Sequence, residues 1–583
     1  MKSAKQVIGA TMRWAWFCLL LVMAFVYLAA GLSSSDKPRG KLVADGSGLE
    51  ARLGELVDVM SPNAATESQA LEADLRVLPV SIKSTVEAIN RVRLDKLEQH
   101  QLPSAEKADW MTICRRMSLA LIGNGLSLEE IRQLERVPEA IRVRVHLDRL
   151  LVDSRFHNYW GERWTRFLVG TEGGQFVVYR RRRFRIWLTE IFSANKPYDQ
   201  MVEDLITAEG LWTDKPQVNF LTATFDSNDG QADPIRLAAR TSRAFLGLRI
   251  DCLQCHNDFL GNVNLGDVAD PREGMQTDFH QLAAFFTSAK TSGLQGVKEG
   301  DVDYEYKYLD ADEEVFVDPD VPFYPELLPV DGTPRQRLAT WVTHPKNRQA
   351  ARAAVSHVWA LMFGQAMGES VDNLPLDETM DPMIGSLADD FVAHGFNIRR
   401  LIRLIALSDA FGVDSRASFE VTPEHERQNA VFPLVRLRSE QVAGSIIQAA
   451  RIKKTDRESS LILQLQTFGD TNDFVARYGD MGEEELASDN ITITQRLMMM
   501  NGKLVRELVK SNPILNATSH INMFAGEDAN VVEIVFLCVL NRYPTDAERD
   551  LFTRRLGEAN NREDAIEDLY WVLLNSSELT WNH

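Results

Sequence analysis

The sequence predicts a mainly α-helical protein: an amino-terminal transmembrane helix, then two helical domains joined by a short β-hairpin and a Pro-rich junction. Three observations predict it. Apolar residues recur at three-four spacing from about Ser84 to the carboxyl end, with helix-capping residues at several starts. Strong period-two alternation is confined to the stretch Tyr304 to Val317. Residues 14–32, nineteen in all, carry no charge.

Taken in order, the first 32 residues read as a signal anchor. Lys2, Lys5 and Arg13 precede the uncharged stretch and Ser33-Ser34-Ser35-Asp36 follows it. At ~1.5 Å per residue such a helix nearly crosses a hydrocarbon core of ~30 Å. Cations on its amino side predict an exported body, in the periplasm or its equivalent, with a membrane partner at 14–32. A cleaved signal peptide using Ala29, Ala30 and Gly31 is the competing reading. Residues 33–83 read as a tether, with a helix around Gly48 to Met60.

Residues 84–300 read as the first helical domain. Ser127-Leu128-Glu129-Glu130 has the spacing of a capping box, in which the serine hydroxyl and the glutamate each satisfy an orphan N–H. Asp233-Pro234 opens another helix, and Gly247 offers its stop. Residues 301–334 read as the hairpin and junction: Tyr304, Tyr306 and Tyr308 alternate with charges, and Val315 and Val317 return. Residues 335–583 read as the second helical domain, with periodic segments at 335–367, 387–411, 440–452, 494–509 and 545–556. Thr545-Asp546-Ala547-Glu548 repeats the capping-box spacing.

Charge narrows the function classes. With 64 basic and 83 acidic residues the chain carries a formal −19, which argues against a nucleic-acid partner. Five cysteines in 583 residues exclude a disulfide-built scaffold; Cys114 and Cys538 sit in apolar helical patterns and read as buried thiols. No Gly-rich phosphate loop, nucleophile elbow or His-Glu-x-x-His occurs. The run Arg180 to Arg183 with Arg185 fits an anionic group or a solvated helix face.

One motif carries chemistry. Cys252-Leu253-Gln254-Cys255-His256 has the spacing of c-type haem attachment: two thiols for two vinyl groups, and an adjacent imidazole as proximal iron ligand. A redox dithiol, a zinc site and a plain disulfide are the alternatives. The first wants a strand–turn–helix setting, and the second wants further ligands of matching spacing. A distal iron ligand is sought at His280, Met275 or His357. Periodicity places Phe279, Leu282, Ala283 and Phe286 on a buried face, with His280 beside it.

The segments LDRLLVDSRFHNYWGERWTRFLV (147–169), NKPYDQMVEDLITAEGL (195–211) and TSRAFLGLRIDCLQCHNDF (241–259) form one group. RQRLATWVTHPKNRQAARAAVSHVWALMFGQAM (335–367), LADDFVAHGFNIRRLIRLIALSDAF (387–411) and WVLLNSSELTWNH (571–583) form a second. Together they resemble the planctomycete-type cytochrome-c-like proteins whose halves are domains of unknown function 1549 and 1553. The resemblance implies an envelope protein with a haem motif in its first half. This chain departs where members carry Asp-His, at Asn257-Asp258, and where they carry Asn-Arg, at Ser356-His357. The expected function is electron transfer by one covalent haem c, as a carrier or oxidoreductase subunit with an unknown redox partner protein. A cell-surface structural protein and a polysaccharide-acting enzyme are the alternatives. The adjacent Asp389 and Asp390 do not form a facing acid–base pair.

Overall fold

The computed structural model describes residues 79–583 apart from 172–178, 226–230, 262, 268–269, 369, 377–379, 456–458, 460, 480–492 and 511–515. The body is mainly helical, and no helix among the described residues is long and apolar enough to cross a membrane. The predicted fold class is corrected accordingly. The anchor expected at 14–32, the tether helix near Gly48 and Cys18 lie outside the described residues, and the membrane-spanning element is withdrawn.

Two helices set the frame. Trp110–Ile122 starts where the Asp109 carboxylate accepts the N–H groups of Met111 and Thr112, and it stops at Gly123, whose φ of 74° suits a residue without Cβ. Arg348–Phe363 is capped by Asn347 and ended by Gly364 at φ 84°. Both are buried almost all round, the pattern of a helix inside a core and not on its surface. They pack on each other, and Trp110–Ile122 also meets Glu139–Val152 and Ser154–Val169. Arg348–Phe363 in turn meets Pro382–Ala393 and Ile398–Leu407. One hydrophobic core therefore runs through both predicted helical segments, from Ile82 to Leu579.

Among the described residues the strands form four separate antiparallel pairs. Asn264–Asp267 pairs with Asp270–Glu273, and Ala289–Thr291 with Val297–Glu299. In the predicted hairpin only Glu305–Tyr306 and Val315–Phe316 pair. The hairpin exists but is shorter than its alternation suggested. Trp581–Asn582 pairs with Val435–Arg436, tying the carboxyl end into the second segment.

Candidate functional site

The helix from Pro234 is capped as predicted: Asp233 Oδ1 accepts the N–H groups of Ile235 and Arg236. Its last turn widens to a π-helix over Ser242–Leu246 and ends at Gly247, φ 60°. The chain then runs to a single 3-10 turn, Asp251–Gln254, and the predicted motif occupies this turn and the two residues after it. Leu253 points into the core and is fully buried, whereas Cys252, Cys255 and His256 are exposed. One buried leucine thus nails down a turn whose reactive side chains face solvent.

The turn is gripped from behind by Gln276–Ala284 and the tyrosine hairpin. The Gln254 carbonyl, between the two cysteines, accepts from His280 Nε2 at 3.0 Å, Gln276 Nε2 at 3.0 Å and the Tyr306 hydroxyl at 3.2 Å. Because that carbonyl only accepts, His280 carries its proton on Nε2, and Nδ1 takes the Tyr304 hydroxyl at 2.8 Å. Tyr306 stacks on the His280 ring at 3.5 Å. On the far side of His256, the Gln276 N–H donates to Asn257 Oδ1 at 2.8 Å, and the Asp258 N–H donates to the Gly274 carbonyl at 2.9 Å. The approach is close: a Cβ on Gly274 would stand 2.7 Å from Leu253 Cδ1.

His256 Nδ1 meets the carbonyl of Asn257 at 2.7 Å. A carbonyl can only accept, so Nδ1 is the protonated nitrogen, and Nε2, with no partner among the described residues, keeps its lone pair. This is the tautomer a metal ligand needs. The exposed side chains of Phe259 and Leu260 follow at once, and the Phe259 ring lies nearly parallel to that of His256, 5.9 Å away.

All four described cysteines are free thiols. Partial burial, aided by Asp258, raises the Cys252 thiol above its usual range. A dithiol redox centre needs the opposite shift, a thiolate stabilised near neutral pH. Among the described residues no group of three or more His, Cys, Asp or Glu side chains gathers as a metal set. Cys114 and Cys538 are buried, as predicted, and burial pushes the Cys538 thiol up to about 12.

The three distal-ligand candidates are placed differently. Met275, 41% exposed, sits between Gly274 and Gln276, both bonded to the motif's flanks, so it borders the turn. His280 is not beside the buried face but wholly buried, with both ring nitrogens engaged behind the turn. The period argument failed there because the hairpin covers the helix on a second side. His357 is enclosed elsewhere in the core, its ring 3.6 Å from Phe167 and 4.8 Å from Trp164. The basic run opens the helix Arg181–Ala194, where Arg181 and Arg185 pair with Glu162. Asp389 and Asp390 are held by Arg348 and Arg400 respectively.

The residues sequence reading missed are Gln276, Tyr304, Tyr306 and Asn257. One signal existed: Gln276 and His280 are four apart, hence on one helix face.

Residues 88–291 match the family model described as PSCyt2, protein of unknown function (DUF1549), and residues 334–473 match PSD1, protein of unknown function (DUF1553). The two matches fall in that order along the chain. No curated protein and no solved structure matches it.

Proposed function

We propose that this chain holds one covalent haem c on Cys252, Cys255 and His256 and passes electrons in the cell envelope, as its resemblance to planctomycete-type cytochrome-c-like proteins implies. The observation that carries the reading is the turn itself. Two reduced thiols and an imidazole with an open Nε2 face solvent together on five consecutive residues, backed by a buried leucine.

Each thiol would add across one vinyl group, forming one C–S bond while its hydrogen passes to the neighbouring carbon. No oxidant is consumed, so the unbridged state of Cys252 and Cys255 is the competent one. His256 Nε2 would hold the iron, and the Asn257 carbonyl on Nδ1 orients the ring. Phe259 and Leu260 supply apolar surface next to the thiols. The bound iron porphyrin supplies reversible one-electron chemistry. An open site lets a partner protein approach the porphyrin edge, which suits a carrier better than a closed substrate pocket.

The full chain, produced in a host able to mature cytochromes, tests this. Peroxidase staining of a denaturing gel and intact mass should both report one porphyrin, absent from the Cys252→Ala, Cys255→Ala double variant. A mass without porphyrin would end the haem reading. A porphyrin that cannot be cycled reversibly between reduced and oxidised spectra would end the electron-transfer half of it.

A further inference from the structure

We infer that Gln276 and His280, with Tyr306, are positioning residues for the attachment turn: they hold the Cys252–His256 segment so that both thiols and the imidazole present themselves together. The inference rests on the haem reading above.

The geometry carries it. Gln276 and His280 stand one helical turn apart and reach the motif on both sides of Cys255-His256, at the Gln254 carbonyl and at Asn257. Gln276 is held by its backbone N–H and by both ends of its side-chain amide. Its backbone N–H goes to Asn257 Oδ1, its side-chain nitrogen to Gln254 O and the Tyr306 hydroxyl, and its Oε1 accepts the Leu309 N–H at 3.0 Å. Three donors converge on the one carbonyl, so the peptide between the cysteines cannot rotate without losing several bonds at once. The turn itself offers little resistance: it is one 3-10 turn, closed by Leu253 N–H to Ile250 O at 3.0 Å and Cys255 N–H to Cys252 O at 3.2 Å. Rotation of the Gln254 peptide would turn Cys255 relative to Cys252, and the second thioether would then miss its vinyl group. The same rotation would displace His256 relative to both thiols. A partner that orients a metal ligand typically matters ~10–100-fold in metal affinity or activity.

The test measures porphyrin attached per folded chain and the ratio of two-thioether to one-thioether product, read from the pyridine haemochrome band. Unattached vinyl groups shift that band to longer wavelength. His280→Phe keeps the ring and removes the donor; Gln276→Met removes the side-chain donor; Tyr306→Phe is the mild variant that leaves two donors. His280→Gln restores an N–H near the Nε2 position. We expect His280→Phe and Gln276→Met to lower the two-thioether fraction about tenfold, Tyr306→Phe to lower it less, and His280→Gln to recover most of it. A merely structural role would lower the yield of folded protein and leave this fraction unmoved. Fully attached porphyrin in His280→Phe and Gln276→Met, with wild-type bands, would overturn the inference while leaving the haem reading intact. If His280→Phe and Gln276→Met do not fold, Tyr306→Phe and His280→Gln decide: a wild-type fraction in Tyr306→Phe, or no recovery in His280→Gln, counts against it. A wild-type chain without porphyrin would instead sink the reading beneath it.

Discussion

His146 lies in the core of the first segment, where its Nε2 meets the Ser118 hydroxyl at 2.8 Å. Burial drives its pKa down to about 4, against the opposing pull of Glu130. His357 has less help: neither ring nitrogen has a partner among the described residues, and burial, with Arg438 adding to it, brings its pKa down to about 3. Both values lie below the ordinary imidazole value of 6.5, so the unfolded chain binds protons that the folded chain refuses. Stability from this source is complete above pH 6.5. It falls as pH drops, by about 1.4 kcal/mol per pH unit for each histidine, until about pH 4 for His146 and about pH 3 for His357. His357→Leu removes its own linkage and keeps an apolar filling for the site. Its urea midpoint should fall less than that of wild type between pH 7.5 and pH 5; parallel losses in the two proteins would discard the argument.

The capping box at Ser127 shows how much one element end can carry. At Leu128–Glu135 the Glu130 N–H reaches the Ser127 hydroxyl at 3.2 Å, and Glu130 returns to the Ser127 N–H at 2.9 Å. Glu130 also pairs with Arg155, a bond strong enough to hold the carboxyl down to about 2 although burial pushes it the other way. Ser127→Ala should therefore cost about 1 kcal/mol, the value of a cap, and Glu130→Gln about 2 kcal/mol, because it removes one of the two carboxylates, Glu130 and Asp153, that hold the buried Arg155 guanidinium. Thermal unfolding of the two variants orders them; equal costs would show that the ion pair adds nothing to the cap. Such ends were legible in the sequence because a cap needs only residues within a turn of each other. Breaks inside long periodic stretches were less so. The pattern 335–367 is two helices, Pro334–Val342 and Arg348–Phe363, parted around His344-Pro345, and 494–509 divides at Gly502. The haem motif was legible for the same local reason. Its support was not: Tyr306 is thirty residues from Gln276 in the chain, and the group they share is a backbone carbonyl, which has no letter in the sequence.

At the scale of the molecule, the two matched segments behave as one body. Arg115 and Arg116, on a helix of the first, donate to carbonyls at the chain's far end: Arg115 to Trp581 O at 3.1 Å, and Arg116 to His583 O at 2.8 Å. Arg116 also reaches Phe411 O at 2.9 Å and Val413 O at 2.7 Å, with its guanidinium over the Phe432 ring. Asn541 bonds both the N–H and the carbonyl of Leu126 at 3.0 Å. The first described helix, Val80–Gln99, packs on Pro382–Ala393 and Ile398–Leu407, and its Lys96 pairs with Asp381. Cutting between the segments would leave two buried arginines with unmet donors and expose the face of Arg348–Phe363 that now lies against Trp110–Ile122. Each loss of a buried partner costs about 1–3 kcal/mol, and total stabilities run only to about 5–15 kcal/mol, so neither piece can absorb several at once. Fragments 79–300 and 335–583 should each show reduced helix by circular dichroism and no cooperative melt, whereas the whole chain melts in one transition. Within that chain Arg116→Met should lower the single midpoint, at a cost of about 3 kcal/mol, without splitting it. A fragment that melts cooperatively alone, or an Arg116→Met chain with two transitions, would mean that the segments are separate domains in contact. The turn at Cys252 would then rest on the first of them only, and not on a frame that both segments make rigid.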